Sequence, residues 1–124
     1  MKKEIVLQEL ESLIRSLDFI QEEQSFIKSK LSSLLENKLQ QEVIVWAEEL
    51  HQAILNRETA ILLLKNDVLG LRNKIKTSPL DNEPVKEDII KLFKKLKQQV
   101  TYMEVEFFSW KNTTNQNLES VVLV

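Results

Sequence analysis

The fold is decided by residues 10–34, which read LESLIRSLDFIQEEQSFIKSKLSSL. Apolar residues recur in this stretch at alternating spacings of three and four, as they do on one face of an α-helix, and Gln24 fills the one polar slot. The apolar positions are Leu10, Leu13, Leu17, Ile20, Ile27, Leu31 and Leu34. This pattern predicts one amphipathic helix over about residues 4–36.

A second register follows, out of phase with the first, and predicts a helix over about residues 41–76 after a break near 37–40. Its positions are Val43, Ala47, Leu50, Ile54, Arg57, Ile61, Leu64, Val68, Leu71 and Ile75. Asn37 is a reasonable residue for the end of a helix. Because no proline or glycine marks this break, one continuous bent helix stays an alternative.

The next boundary is clearer, since residues 77–84 contain both prolines together with several capping residues. A third helix is expected from near Pro84, over about residues 84–120. Its apolar positions are Ile89, Phe93, Leu96, Val100, Met103, Phe107 and Trp110. The seam then turns polar at Thr114 and Asn117, so its last part should pack more weakly. Short connections make consecutive helices antiparallel, which predicts an all-α, up-down-up antiparallel three-helix bundle in a single domain, 1–124.

Composition excludes several classes of protein. The chain has 124 residues, one glycine and no cysteine, which disfavours hairpin-rich sheets and rules out disulfides, thiolate metal sites and cysteine nucleophiles. A formal net charge of -2 gives no overall attraction to nucleic acid or anionic lipid. The longest apolar runs are far shorter than a membrane span, and the first residues do not resemble a signal peptide. We therefore expect a cytoplasmic protein without a membrane span.

The second helix has more apolar surface than one seam requires. Leu55, Leu62 and Leu69 form a second column, separated from the core column by a polar one. The polar column contains His51, Glu58, Lys65 and Arg72. Two interpretations stay open, one being a broad face buried within a single bundle. The other is an interface with a second subunit, which would build a larger bundle from a homodimer.

Only one pattern suggests a metal. Glu48 and His51 have the Glu-x-x-His spacing of carboxylate-bridged di-iron bundles, but those bundles need this motif twice together with further glutamates. An exposed or interface histidine near Glu48 is the simpler interpretation. Other acidic pairs fall mostly on solvated faces, and the chain has no glycine-rich phosphate loop or catalytic elbow. We therefore expect no enzyme, no catalytic residues and no cofactor.

Lys91, Lys94, Lys95 and Lys97 are the best candidates for contact with an anionic surface, although such a run is usually a solvated face. No specific nucleic acid is expected. Five aromatic residues lie off the apolar columns and either flank the core or are exposed. They are Phe19, Phe26, Trp46, Tyr102 and Phe108.

The function favoured by these patterns is that of a non-enzymatic helical interaction or structural module acting through apolar helix faces. Its partner is expected to be a second copy of the chain or an unidentified protein. The alternatives are a small-ligand or metal-binding bundle that uses Glu48 and His51, and weak binding of an anionic surface through residues 91–97.

Overall fold

The computed structural model of the protein describes residues 1–36, 40–78 and 84–122. Three long helices account for most of these residues: α1 (Lys3–Leu35), α2 (Gln41–Lys76) and α3 (Glu87–Val122). The predicted three-helix bundle is therefore confirmed, with the predicted bounds correct to within three residues. The predicted break covers residues 37–40, and three of these, 37–39, lie outside the described residues. Since α1 and α2 are separate helices, the continuous bent helix is wrong.

The third helix begins later than Pro84, where the sequence pattern placed its start. The first backbone hydrogen bond into α3 runs from the Ile90 N–H to the Lys86 carbonyl oxygen, at 3.0 Å. Glu87 and Asp88 occupy its first turn, where negative charge favours the exposed N–H groups. Asp88 Oδ1 also accepts a hydrogen bond from the Ile89 N–H at 2.9 Å.

The ion pairs between the helices show in which direction each helix runs relative to the others. Along the α1–α2 pairs the residue number rises in α1 as it falls in α2, so these two helices are antiparallel. Those pairs are Glu11–Arg72, Asp18–Lys65 and Lys28–Glu58. Between α1 and α3 the numbers rise together, so these two helices are parallel. Those pairs are Glu9–Lys97 at 3.3 Å and Glu23–Lys111 at 2.9 Å. This is the up-down-up order.

One end of the bundle joins all three helices. The Val85 N–H donates to the Met1 carbonyl oxygen at 3.1 Å, which connects the start of α1 to the segment before α3. Lys3 Nζ donates to the Ser78 carbonyl oxygen at 3.3 Å, just beyond the end of α2. The start of α1 therefore lies beside the end of α2 and the beginning of α3.

The buried apolar side chains form two clusters along the bundle axis. The larger cluster lies at the end that holds Met1, and the smaller lies at the other end. The larger contains Val6, Leu10, Leu13, Ile14, Leu17, Ile20, Ile61, Leu64, Val68, Leu71, Ile75, Phe93, Leu96, Val100 and Phe107. The smaller contains Ile27, Leu31, Leu34, Ala47, Leu50, Ile54 and Leu118. Trp110 is half-buried and packs against both clusters.

The last turns of α3 depart from the predicted seam. Thr114 is buried as expected, but the next buried residue is Leu118 and Asn117 is exposed. The register changes because Trp110, Thr114 and Leu118 follow spacings of four and four, which rotates the buried stripe around the helix. Among the α3 residues whose side chains are described, Leu118 is the one buried in the smaller cluster, and Trp110 and Val121 pack against it.

Gly70, the single glycine of the chain, allows a test of how much intrinsic helix propensity contributes to the stability of the bundle. Gly70 lies within α2, is exposed, and has no atom within 4 Å of the place a Cβ would occupy. Gly70→Ala should raise the free energy of unfolding by about 0.5–1 kcal/mol, because alanine loses less backbone entropy in a helix. Urea unfolding followed by circular dichroism measures the change. The reciprocal Ala60→Gly should lower stability by a similar amount, and a loss of stability in Gly70→Ala would contradict the open surroundings of Gly70.

Candidate interaction face and polar core layer

The polar column on α2 has a definite role in the bundle. Glu58, Lys65 and Arg72 form the ion pairs with α1 and so line the contact between the two helices. Arg72 donates to Glu11 at 3.0 Å, and Lys28 donates to Glu58 at 3.1 Å. The polar divider that the sequence placed between two apolar stripes is therefore an interhelical contact. His51, in the same column, is half-buried.

The three leucines predicted as an interface differ in exposure. Leu69 is half-buried and packs against the larger cluster, so it belongs to the intramolecular core. Leu55 is half-buried as well. Leu62 is 50% exposed and lies outside both clusters. Of the predicted interface, Leu62 is thus the residue that presents most apolar surface.

Two aromatic side chains of α1 line the same shallow groove as Leu62. Phe19 is 46% exposed and Phe26 is 69% exposed, and they lie seven residues apart on one side of the helix. We call this surface, formed by Phe19, Phe26 and Leu62, the α1 face. Sequence analysis placed both phenylalanines off the core columns but did not connect them with Leu62. The spacing of seven in α1 was the signal available for that connection.

Charged side chains surround the α1 face, and most of them are already paired within the chain. Asp18, Glu23 and Glu58 line the groove and pair with lysines of neighbouring helices. Arg15 and Glu22 also line it and are exposed, and among the described residues neither forms an ion pair. One unpaired cation and one unpaired anion thus flank Phe19, four residues before it and three residues after it.

The Glu48 and His51 pair does not extend into a larger site. Glu48 is exposed and His51 is half-buried. Within residues 1–36, 40–78 and 84–122, no group of three or more His, Asp or Glu side chains is arranged to hold a metal ion.

The lysine cluster of α3 is divided between two sides of the helix. All four lysines, Lys91, Lys94, Lys95 and Lys97, are exposed. Lys97 pairs with Glu9 of α1 and lies 5.9 Å from the centre of the Phe93 ring. Lys95 instead lines a groove between α2 and α3 that also includes Asp67 and Glu106. Nearby acids on both sides weaken the positive field that an anionic surface would meet.

A polar layer separates the two core clusters. On α1 it contains Gln24, which lies between Ile20 and Ile27 and is 1% exposed. On α2 it contains Arg57, whose guanidinium donates to both carboxylate oxygens of Glu106, in one case at 2.7 Å. The same guanidinium carbon lies 4.2 Å from the centre of the Trp110 ring. The sequence identified Gln24 as the polar slot of one seam and placed Arg57 in the other, and the structure brings the two residues to one level of the bundle.

Gln24 lacks a hydrogen-bond partner within the described protein. Neither its Nε2 nor its Oε1 atom has one. Both Gln24 and the Arg57–Glu106 pair line a cavity of about 250 Å³, which we call the Gln24 cavity. Its remaining lining residues are Ile20, Asn56, Ala60, Ile61, Met103 and Phe107. The sequence pattern did not predict this cavity, because a single polar slot in a seam does not reveal the space around it.

Among the described residues, none of the helices contains an apolar stretch of the length that a bilayer span requires. Comparison with protein-family models, with curated proteins and with solved structures finds no match to this chain. The conclusions about function therefore depend on the exposed faces of the bundle.

The buried amide of Gln24 generates a prediction about stability. Gln24→Leu should raise the free energy of unfolding by about 1–3 kcal/mol, because it removes a buried donor and acceptor that no protein group satisfies. Chemical denaturation of the wild type and the variant measures the difference. Gln8→Leu, an exposed change on the same helix, should stay within about 0.5 kcal/mol of the wild type. A destabilised Gln24→Leu would mean that the amide is satisfied in solution.

Proposed function

We propose that the protein is a non-enzymatic interaction module, that it acts through the α1 face, and that its partner there is a second copy of the chain. The proposal is carried by the exposure of Phe19, Phe26 and Leu62 on one side of the bundle. Contiguous apolar surface that a folded monomer leaves in water is typical of interaction sites. Aromatic side chains also contribute strongly to binding once a partner covers them.

The charges on the α1 face favour a second copy as the partner. Most symmetric dimers have a two-fold axis, so each contact between two different residues occurs twice. If α1 packs antiparallel to α1 of the second copy with the axis near Phe19, the two Phe19 rings meet. Arg15 then lies opposite Glu22 of the second copy, and the reverse contact forms as well. The unpaired cation and the unpaired anion therefore complement each other across the axis.

This arrangement differs from the interface predicted from the sequence. Leu62 remains part of it, while Leu69 packs against the core and Leu55 is half-buried. The phenylalanines of α1 supply the larger share of the apolar surface. The association is therefore centred on α1, with α2 at its edge.

A charge exchange tests both the association and its symmetry. The wild type should sediment as a dimer of twice the 14.6 kDa chain mass. Arg15→Glu should shift the equilibrium to monomer, because it places two acidic side chains opposite each other in both contacts. The double variant Arg15→Glu with Glu22→Arg should restore the dimer, since the exchanged charges again meet their opposites. Sedimentation velocity over a concentration series measures all three.

Two serine substitutions provide a matched control. Phe26→Ser should weaken the dimer. Tyr102 on α3 is a matched aromatic residue, since its side chain is 74% exposed and that of Phe26 is 69% exposed. Tyr102→Ser should therefore leave the dimer unchanged. A wild type that stays monomeric at the highest concentration would reject the second copy as partner. If Arg15→Glu still sediments as a dimer, the proposed two-fold contact through α1 is wrong.

A further inference from the structure

We propose that the chain has a second self-association contact, in which the outer side of α3 in one copy binds the outer side of α2 in the next copy. The two sides carry opposite charges and share no residue with the α1 face, so this contact goes beyond the dimer proposed above. Because it joins two different surfaces, each added copy leaves one of each surface free, and copies can add in a row.

The α3 side of the contact is basic. Residues 89–103 contain four lysines and no acidic residue. Lys97 pairs with Glu9 of α1. The other three are exposed and form no ion pair with any described residue; they are Lys91, Lys94 and Lys95. Spacings of three and four place them on one side of the helix, and Tyr102 continues that side two turns further on. We call these three lysines and Tyr102 the basic stripe.

The α2 side of the contact is acidic. Residues 41–56 contain three acidic residues and neither lysine nor arginine. All three are exposed and form no ion pair within the part of the chain that the structure describes; they are Glu42, Glu48 and Glu49. Val45 lies among them on the same side of the helix and is 46% exposed. We call these three glutamates and Val45 the acidic stripe.

The two stripes are complementary. Three unpaired lysines meet three unpaired glutamates, and each stripe also has one exposed aromatic or aliphatic side chain. Complementary charges of this kind raise the rate of association and fix its register. Asp67 and Glu106 lie beside Lys95 in the groove between α2 and α3, so the positive field is weak at a distance. Direct contact with carboxylates is therefore favoured over attraction to an extended anionic surface.

Charge also selects the direction in which the two helices pack. We place the two adjacent glutamates of the acidic stripe opposite the two adjacent lysines of the basic stripe. In a parallel arrangement Glu42 then lies opposite Asp88 in the first turn of α3, and the two acids repel each other. The antiparallel arrangement avoids this contact. It also places Val45 within one turn of Tyr102, whose side chain is tilted toward the start of its helix.

The antiparallel arrangement determines how far the next copy is displaced. Within one copy α2 and α3 are antiparallel, and Arg57 lies opposite Glu106, so residues 48–49 lie at the level of residues 114–115. The proposed contact brings residues 94–95 of the next copy to that level. The next copy therefore runs in the same direction and is displaced by about 20 residues, or about 30 Å at about 1.5 Å per residue.

Salt concentration separates this contact from the dimer. Exposed charges interact over about 8 Å at about 0.15 M salt and over about 30 Å at about 0.01 M. We therefore expect the dimer at physiological salt and longer assemblies at low salt. Phe26→Ser weakens the dimer without changing a charge. At low salt this variant should still form assemblies that grow with protein concentration, and these should disperse at about 0.5 M salt.

Charge reversal in the Phe26→Ser variant tests the contact by sedimentation velocity at low salt. Lys94→Glu with Lys95→Glu should lower the association constant at least about tenfold, because like charges then meet. Glu48→Lys with Glu49→Lys should have the same effect. A variant with all four changes has the original net charge and again brings opposite charges together, so it should assemble as Phe26→Ser does.

A matched control changes the net charge outside both stripes. Lys2→Glu with Lys30→Glu alters two exposed lysines of other surfaces, and this variant should still assemble. Absence of low-salt assembly by Phe26→Ser, or by the variant with all four changes, would overturn the proposal. Stronger assembly by Glu48→Lys with Glu49→Lys would also overturn it, because the lysines would then be binding a polyanion such as nucleic acid.

The two proposed contacts can fail separately. Low-salt assembly of Phe26→Ser supports the contact between the stripes whether or not the wild type dimerises at physiological salt. A wild type that forms only dimers at low salt would refute the contact between the stripes and leave the α1 face as the one association surface.

Discussion

Burial of the apolar stripe of α1 between the other two helices is the constraint on which the rest of this structure depends. The α1 and α2 N-caps, Lys2 and Gln40, form no side-chain capping hydrogen bond, so local capping contributes little to either helix. Each fully buried leucine or isoleucine contributes about 1.5–3 kcal/mol, whereas a half-exposed ion pair contributes about 0–1 kcal/mol. Apolar burial therefore stabilises the bundle, and the partly exposed ion pairs between α1 and α2 add little to its stability.

The polar layer is the one place where this constraint is relaxed. Arg57 has compensation there, because Glu106 accepts two hydrogen bonds and Trp110 covers the guanidinium. Gln24 has none within the described residues, although every other buried position of α1 holds leucine, isoleucine or valine. The two polar residues of this layer therefore differ: Arg57 is paired with Glu106, and Gln24 has no hydrogen-bond partner among the described residues.

The periodic spacing of apolar residues was sufficient to predict the helices, because each helix buries one continuous apolar stripe. The prediction failed in detail where the stripe rotates, from Trp110 to Leu118, since a fixed alternation of three and four selects Asn117 instead. The role of Lys65 and Arg72 was also missed, because their partners on α1 are identified only after the two helices are aligned. Gln24 was recognised as a polar slot of the first seam, and Arg57 was placed among the positions of the second. Their shared level, and the cavity beside them, depend on relative helix positions that no single segment encodes.

The α1 face and the polar layer use different sides of α1, and helix geometry explains how one segment can serve both. Successive residues are about 100° apart, so Phe19 and Phe26 point outward while Ile20 and Gln24 point toward the axis. The α1 face is continuous with α2, whereas the Gln24 cavity opens between α2 and α3. Both α1 and α2 contribute residues to the α1 face and to the Gln24 cavity, so a second copy seated on the α1 face would contact the same two helices that carry the polar layer.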